Sequence, residues 1–194
     1  MTSTPLWQLS ATELSALTRS GQISAVEAVR ASVDRMHAVN PSLNAVVTDL
    51  SASALERAQA LDAAKGPKGP LHGVPITIKI NIDQKGEASS NGVVAFKDLV
   101  APGDAPLVKN LLDAGAVVIG RTNVPEFSRR AETDNPIYGQ TWNPWGRHVS
   151  PGGSSGGAGS AVAAGIGALG HGNDIGGSLR FPAAGNGVVT VKPG

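Results

Sequence analysis

The segment SPGGSSGGAGSAVAAGIGALGHGNDIGGSLRFPA, residues 150–183, constrains this chain more than any other. Of the 25 glycines in the sequence, 13 lie between Gly152 and Gly187, so the demand for unusual backbone geometry is concentrated in one place. A flexible Gly-Ser linker lacks side chains that can be buried. This segment instead runs straight into Ala161, Val162, Ala163, Ala164 and Ile166, and it carries Asp174 and Arg180 around a Gly-Gly-Ser. A linker is therefore disfavoured. A Walker phosphate loop needs a lysine just before Ser or Thr, and no lysine occurs between Lys109 and Lys192. Gly165, Gly167 and Gly170 fit the dinucleotide spacing GxGxxG. They follow a helical run rather than a strand, however, and the residue about twenty positions on is Thr190 rather than an acid. Gly152-x-Ser154-x-Gly156 and Gly153-x-Ser155-x-Gly157 match the nucleophile elbow GxSxG, which requires a strand immediately before it; here the preceding NPWGRHVSP is loop. His171 is the only histidine after the serines, which disfavours a Ser-His-Asp site.

One arrangement uses all of these features. GGSSGG places serines where backbones approach closely, and NDIGGS sets Ser178 after two glycines. Such a turn aims several N–H groups at one point, as an oxyanion requires. Lys79, in the strand pattern VPITIKINI (74–82), would be a base if buried, because desolvation penalises its charged form. It would be an ordinary solvated lysine otherwise.

The rest of the chain reads as a globular α/β domain. Ser10-Ala-Thr-Glu13 and Ser24-Ala-Val-Glu27 are capping boxes. The second opens a helix with Val26, Val29, Ala31, Val33 and Met36 toward one face, ended by Asn40-Pro41. Strands are predicted at 44–50, 74–82, 117–122 and 187–192. Helices are predicted at 53–65, 104–116 (with Asp104 as cap) and 156–166, with a short apolar step from Ala168 to His171 and a turn or helix start at Gly176-Gly177. Between them, 132–153 forms a long ordered loop of the kind that tends to be functional. The balance of 16 basic and 15 acidic residues, with no long run of like charge, argues against nucleic acid or an anionic membrane as partner. No apolar run is long enough to span a bilayer. The absence of cysteine excludes disulfides and thiol chemistry. With no signal-peptide pattern at the N-terminus, a cytoplasmic protein is expected.

From about Leu71 onward the sequence resembles the amidase signature hydrolases. The resemblance rests on LHGVPITIKINID, GRTNVPEF, NPIYGQTWNPW, SPGGSSGGAGSAVAAG and GNDIGGSLRFPA. It implies a mixed β-sheet covered by helices, with 1–70 as a helical N-terminal region and 71–194 as the catalytic signature region of one domain. It also implies a Ser–cis-Ser–Lys triad of Lys79, Ser154 and Ser178, with a cis peptide between Gly153 and Ser154. The oxyanion donors would be the backbone N–H groups of Ile175, Gly176, Gly177 and Ser178, and Ser128 would line the substrate channel. Ser155 would be a neighbour in the hydrogen-bond network, and Asp174 and Arg180 would brace the loop.

The implied reaction is hydrolysis of a small-molecule carboxylic amide through an acyl-enzyme, with neither metal nor organic cofactor. EFSRRAETDNPIYGQTWNPW and HGNDIGGSLRFPA look closer to stand-alone bacterial amidases of the indoleacetamide-hydrolase kind. The alternatives are the glutaminase-type subunit of a tRNA-dependent amidotransferase and a non-catalytic fragment or interaction module retaining the signature. Family members are more than twice as long, and Thr190 stands where they carry glycine. The resemblance therefore implies an N-terminal portion, truncated after the signature, that needs a C-terminal half or complementing chain or else self-associates.

Overall fold

A computed structural model describes residues 4–193. Both capping boxes form. Ser10 Oγ accepts from the Glu13 N–H at 3.2 Å while Glu13 accepts from the Ser10 N–H, opening α1 (Ala11–Ser20). Ser24 and Glu27 repeat the exchange at the start of α2 (Ala25–Leu43). α2 runs three residues past the predicted stop at Asn40, with Pro41 inside its last turn. The real terminator is Asn44, in the left-handed conformation at φ 50°. Asn40 secures that turn: its Oδ1 accepts from the Ala45 and Val46 N–H groups, both at 2.9 Å, and its Nδ2 donates to the Val46 carbonyl.

The remaining major elements are β1 (Val46–Asp49), α3 (Ser51–Ala63), β2 (Pro75–Lys79), α4 (Pro106–Asp113), β3 (Val117–Thr122), α5 (Gly156–Ala163) and α6 (Arg180–Asn186). Leu169–Gly170 forms a short strand that completes a four-stranded sheet in the order β1, β3, β2, Leu169–Gly170. β1 is antiparallel to β3; β2 is parallel to both of its neighbours. The sheet is thus mixed and covered by helices, and the N-terminal region contributes one of its edge strands. Period-two alternation sends the two faces into separate cores. Val117 and Ile119 pack with Val29, Val33 and Met36 of α2 and Ala161 of α5. Val118, Ile76 and Ile78 pack with Leu14 of α1 and Val108 of α4. Lys79 has the parity of Thr77, whose Oγ1 lies on the α5 side against Gly170.

Several predicted boundaries move. α4 starts at Pro106 because proline pre-sets a first-turn φ, and Asp104 is not its cap: the Asp104 carboxylate accepts from the Lys85 N–H at 2.8 Å. α5 ends at Ala163, before the left-handed Gly165. The 132–153 loop contains a two-residue antiparallel pair, Asp134–Asn135 with Gly139–Gln140. The predicted strand at 187–192 does not form. Val189 and Val191 lie almost wholly in solvent, and without a neighbouring strand their alternating pattern has no ladder to join.

Candidate active site

β2 delivers Lys79 into the interior at its C-terminal end, where the side chain is completely buried. Its Nζ lies 2.7 Å from Ser154 Oγ and 2.7 Å from Asn173 Oδ1. Burial pushes the Lys79 pKa down to about 7, against the opposing pull of Asp174. A substantial neutral fraction therefore exists near neutral pH. The segment that follows Lys79 is held by Arg121 of β3, itself fully buried, which donates to the carbonyls of Ile80, Ile82 and Ala88.

Ser154 reaches Lys79 because its surroundings admit only glycine. The Gly153–Ser154 peptide is cis. A Cβ on Gly153 would stand 2.3 Å from the Arg130 carbonyl oxygen, and one on Gly157 would stand 2.5 Å from the Asn123 nitrogen. Thr133 clasps the turn: its hydroxyl donates to the Gly152 carbonyl at 2.8 Å and accepts from the Gly156 N–H at 3.2 Å.

The 173–180 loop docks on this turn through the Ser155 N–H, which donates to the Ser178 carbonyl at 3.0 Å. Asp174 organises the loop. Its covered carboxylate accepts from the N–H groups of Gly177, Leu179 and Arg180 and from the Arg180 guanidinium. The Arg180 hydrogen bond, with those N–H groups, holds the Asp174 carboxyl far below the usual carboxylate range, so it is a fixed anion and a brace. The Ser178 hydroxyl, half-buried, has no hydrogen-bond partner among the described residues. The N–H groups of Ile175, Gly176 and Ser178 are likewise uncommitted among the described residues. The expectation for Gly177 is corrected: its N–H is donated to Asp174 at 2.7 Å, so three of the four anticipated donors are free.

Ser128 enters through a side-chain network. Its Oγ accepts from Asn81 Nδ2 at 3.0 Å and donates to Asn91 Oδ1 at 2.7 Å, and Asn81 in turn accepts from Asn173 Nδ2 at 3.1 Å. Ser128 thus sits near the lysine but does not touch it. Sequence reasoning missed Asn81, Asn91 and Asn173. Asn81 had a signal, since it stands two residues after Lys79 in the strand pattern; Asn173 had only its place in NDIGGS. His171, next along the loop, is pushed by burial to a pKa of about 4 and is neutral at pH 7. Among the described residues no group of three or more His, Asp or Glu side chains could hold a metal, and no helix is long and apolar enough to cross a membrane.

The profile of the Amidase family matches residues 27–194, and the chain belongs to the amidase signature family. It is 63% identical over 192 residues to an indoleacetamide hydrolase of Bradyrhizobium diazoefficiens, covering 97% of this chain and 37% of that protein. It is 43% identical over 191 residues to a glutamyl-tRNA(Gln) amidotransferase subunit of Moorella thermoacetica, covering 97% and 39%. Among solved structures it resembles a peptide amidase in complex with the inhibitor chymostatin, with a TM-score of 0.90 and 36% identity over 98% of this chain and 41% of that one. The chain thus spans about two fifths of the length of these relatives.

Proposed function

We propose that the chain carries the catalytic centre of an amidase that cleaves a small carboxylic amide through an acyl-enzyme on Ser178. The observation that carries this reading is the 2.7 Å contact between buried Lys79 and Ser154, with the loop that carries Ser178 docked on the neighbouring Ser155. Ser178 Oγ attacks the amide carbon. Its proton passes to Ser154 Oγ, and the Ser154 proton passes to the lone pair of neutral Lys79. The N–H groups of Ile175, Gly176 and Ser178 stabilise the tetrahedral oxyanion. On collapse the relay runs backward: Lys79 returns a proton through Ser154 to the amide nitrogen, the C–N bond breaks, and amine or ammonia leaves. A water then loses a proton to the same relay and attacks the ester carbon, and the acid departs as Ser178 regains its hydrogen. The residues themselves supply nucleophile, base and oxyanion donors, so the scheme uses no metal or organic cofactor.

The high identity to an indoleacetamide hydrolase supports a primary arylacetamide as substrate. The lower identity to the amidotransferase subunit makes glutamine the second candidate. The site's completion rests on more chain. Leu169 on the sheet edge, Val189 and Val191 are exposed apolar side chains lining an open groove of about 520 Å³. An exposed edge and apolar surface of this kind call for cover, from a C-terminal portion or from a second copy. The site has a cytoplasmic setting in this reading.

The test is ammonia release from indole-3-acetamide and from glutamine, with sedimentation in parallel. The chain would be taken alone and then supplemented with the C-terminal portion of the Bradyrhizobium relative. Indole-3-acetamide turnover that requires the added portion supports both parts of the reading. Glutamine turnover alone moves the assignment to the amidotransferase class. A stable monomer inert in every combination leaves a non-catalytic module.

A further inference from the structure

We infer that Asn173 is a positioning residue that turns the lone pair of Lys79 toward Ser154, and that Asn81 locks Asn173 in the orientation that does so. The inference rests on the amidase reading of the site. A neutral amine has one lone pair and two N–H bonds. It can accept the Ser154 proton only if the lone pair faces Ser154 Oγ. Lys79 Nζ has a second close neighbour, the side-chain oxygen of Asn173 at 2.7 Å, and a carbonyl oxygen only accepts. That contact takes an N–H of Lys79, so the lone pair does not point at Asn173 and the neutral amine can turn it to Ser154.

The amide of Asn173 must therefore present oxygen rather than nitrogen to the lysine, and its partners enforce this. Asn173 Nδ2 donates to Asn81 Oδ1 at 3.1 Å. Asn81 Nδ2 donates to Ser128 Oγ at 3.0 Å and lies 3.5 Å from Asn173 Oδ1. Ser128 then donates to Asn91 Oδ1 at 2.7 Å. In the Asn173–Asn81 pair each amide offers its nitrogen to the other's oxygen. Flipping Asn173 would turn an N–H to the lysine, drawing the amine's lone pair away from Ser154, and would set oxygen against oxygen at Asn81. The chain ends where two loops are stitched together: Asn91 accepts from the Phe127 N–H at 3.0 Å, and Asn91, Phe127 and Ser128 all have positive φ. The orientation of the base is thus anchored in the loop that carries Ser128. The charged and titratable groups acting on Lys79 are Asp174, an anion neutralised by Arg180, and His171, which is neutral near pH 7.

The test reads Lys79 directly, by the ¹⁵N resonance of its Nζ during a pH titration of the chain, together with the pH dependence of Ser178 labelling by a fluorophosphonate. In the wild type the midpoint falls near 7. Asn173→Asp places a carboxylate where the amide oxygen stands and moves the midpoint up by about 1–3 pH units, with the labelling profile following. Asn173→Leu removes an acceptor from the ammonium, lowers the midpoint, and slows labelling at least tenfold even above it. Asn81→Leu gives a smaller change of the same sign, and Asn173→Thr, which keeps an acceptor oxygen, recovers part of the rate. A role in packing alone would lower the melting temperature of these variants and leave midpoint and profile at wild-type values; that result overturns the inference. A wild-type midpoint near the ordinary lysine value would sink the amidase reading beneath it instead.

Discussion

The N-terminal helices and the 150–187 segment are built on opposite logics. In α1 and α2, Ser10 and Ser24 satisfy helix-end N–H groups, and Leu14, Val29, Val33 and Met36 bury apolar faces. Each residue there contributes a separable increment, and most could be exchanged for a similar one. In the signature segment the side chains are small and the constraint is exclusion. At Gly153 and Gly157 an added Cβ would meet backbone atoms within 2.5 Å, and backbone cannot step aside as a side chain can. The first region stabilises in small separable increments; the second, where nothing can give, also sets Ser154 against Lys79. Substitutions in the two regions should therefore act by different amounts, and only those in the second should change the site.

The largest separation is expected at Lys79. Lys79→Arg keeps a cation but stays protonated, so it should lose acylation of Ser178 by several orders of magnitude, as should Lys79→Ala. Acylation kinetics across pH would show it. In the wild type the rate should rise with pH through about 7, because only the neutral amine accepts a proton.

The next effect inverts a rule of thumb. Alanine in place of a helical glycine ordinarily stabilises by about 0.5–1 kcal/mol. Gly157→Ala in α5 should instead destabilise by roughly 3 kcal/mol or prevent folding, since its Cβ would collide with Asn123 and with the Ala45 carbonyl oxygen. Urea denaturation, or failure to recover folded protein, would register the loss. A gain would mean that α5 packs less closely than described.

A third variant should raise stability while abolishing chemistry. The folded pKa of Lys79 lies below its ordinary value of 10.5, so between about 7 and 10.5 the unfolded chain carries a proton that the folded chain lacks. Stability should rise with pH across that window, and below it the full cost of burying the amine applies. Lys79→Met should remove this dependence and stabilise the chain at pH 6 by on the order of a few kcal/mol. Paired denaturation curves at pH 6 and 9 would measure both effects.

The smallest effect belongs to the N-terminal region. Ser24→Ala loses the Glu27 N–H contact at 3.0 Å and should cost about 1 kcal/mol, with no change in acylation rate or its pH profile. A change in the profile would mean that the two regions are coupled.

How much the sequence revealed follows the same division. Caps and periodicity located α1, α2, α3 and β3, because those elements are specified by neighbours along the chain. The signature motifs singled out Lys79, Ser154 and Ser178 as candidates; the structure brings Lys79 to Ser154 and docks the Ser178 loop on Ser155. The 187–192 segment misled because its alternation is local while a strand needs a partner. The asparagines escaped because nothing local distinguishes them. Asn173 and Asn81 matter through hydrogen bonds that span about half the chain, 92 residues from one to the other. The Asp174 carboxylate explains why Gly177 is not a free donor, and that too depends on how the loop closes rather than on its composition.

In the proposed reaction Ser178 is the nucleophile and Ser154 relays its proton to Lys79. The most direct measurement is intact mass and peptide mapping after reaction with a fluorophosphonate, on the wild type and on Ser178→Ala, with and without a complementing C-terminal portion. The account predicts one adduct per chain, mapped to Ser178 and absent from Ser178→Ala. An adduct on Ser154 or Ser155 that persists in that variant would contradict it.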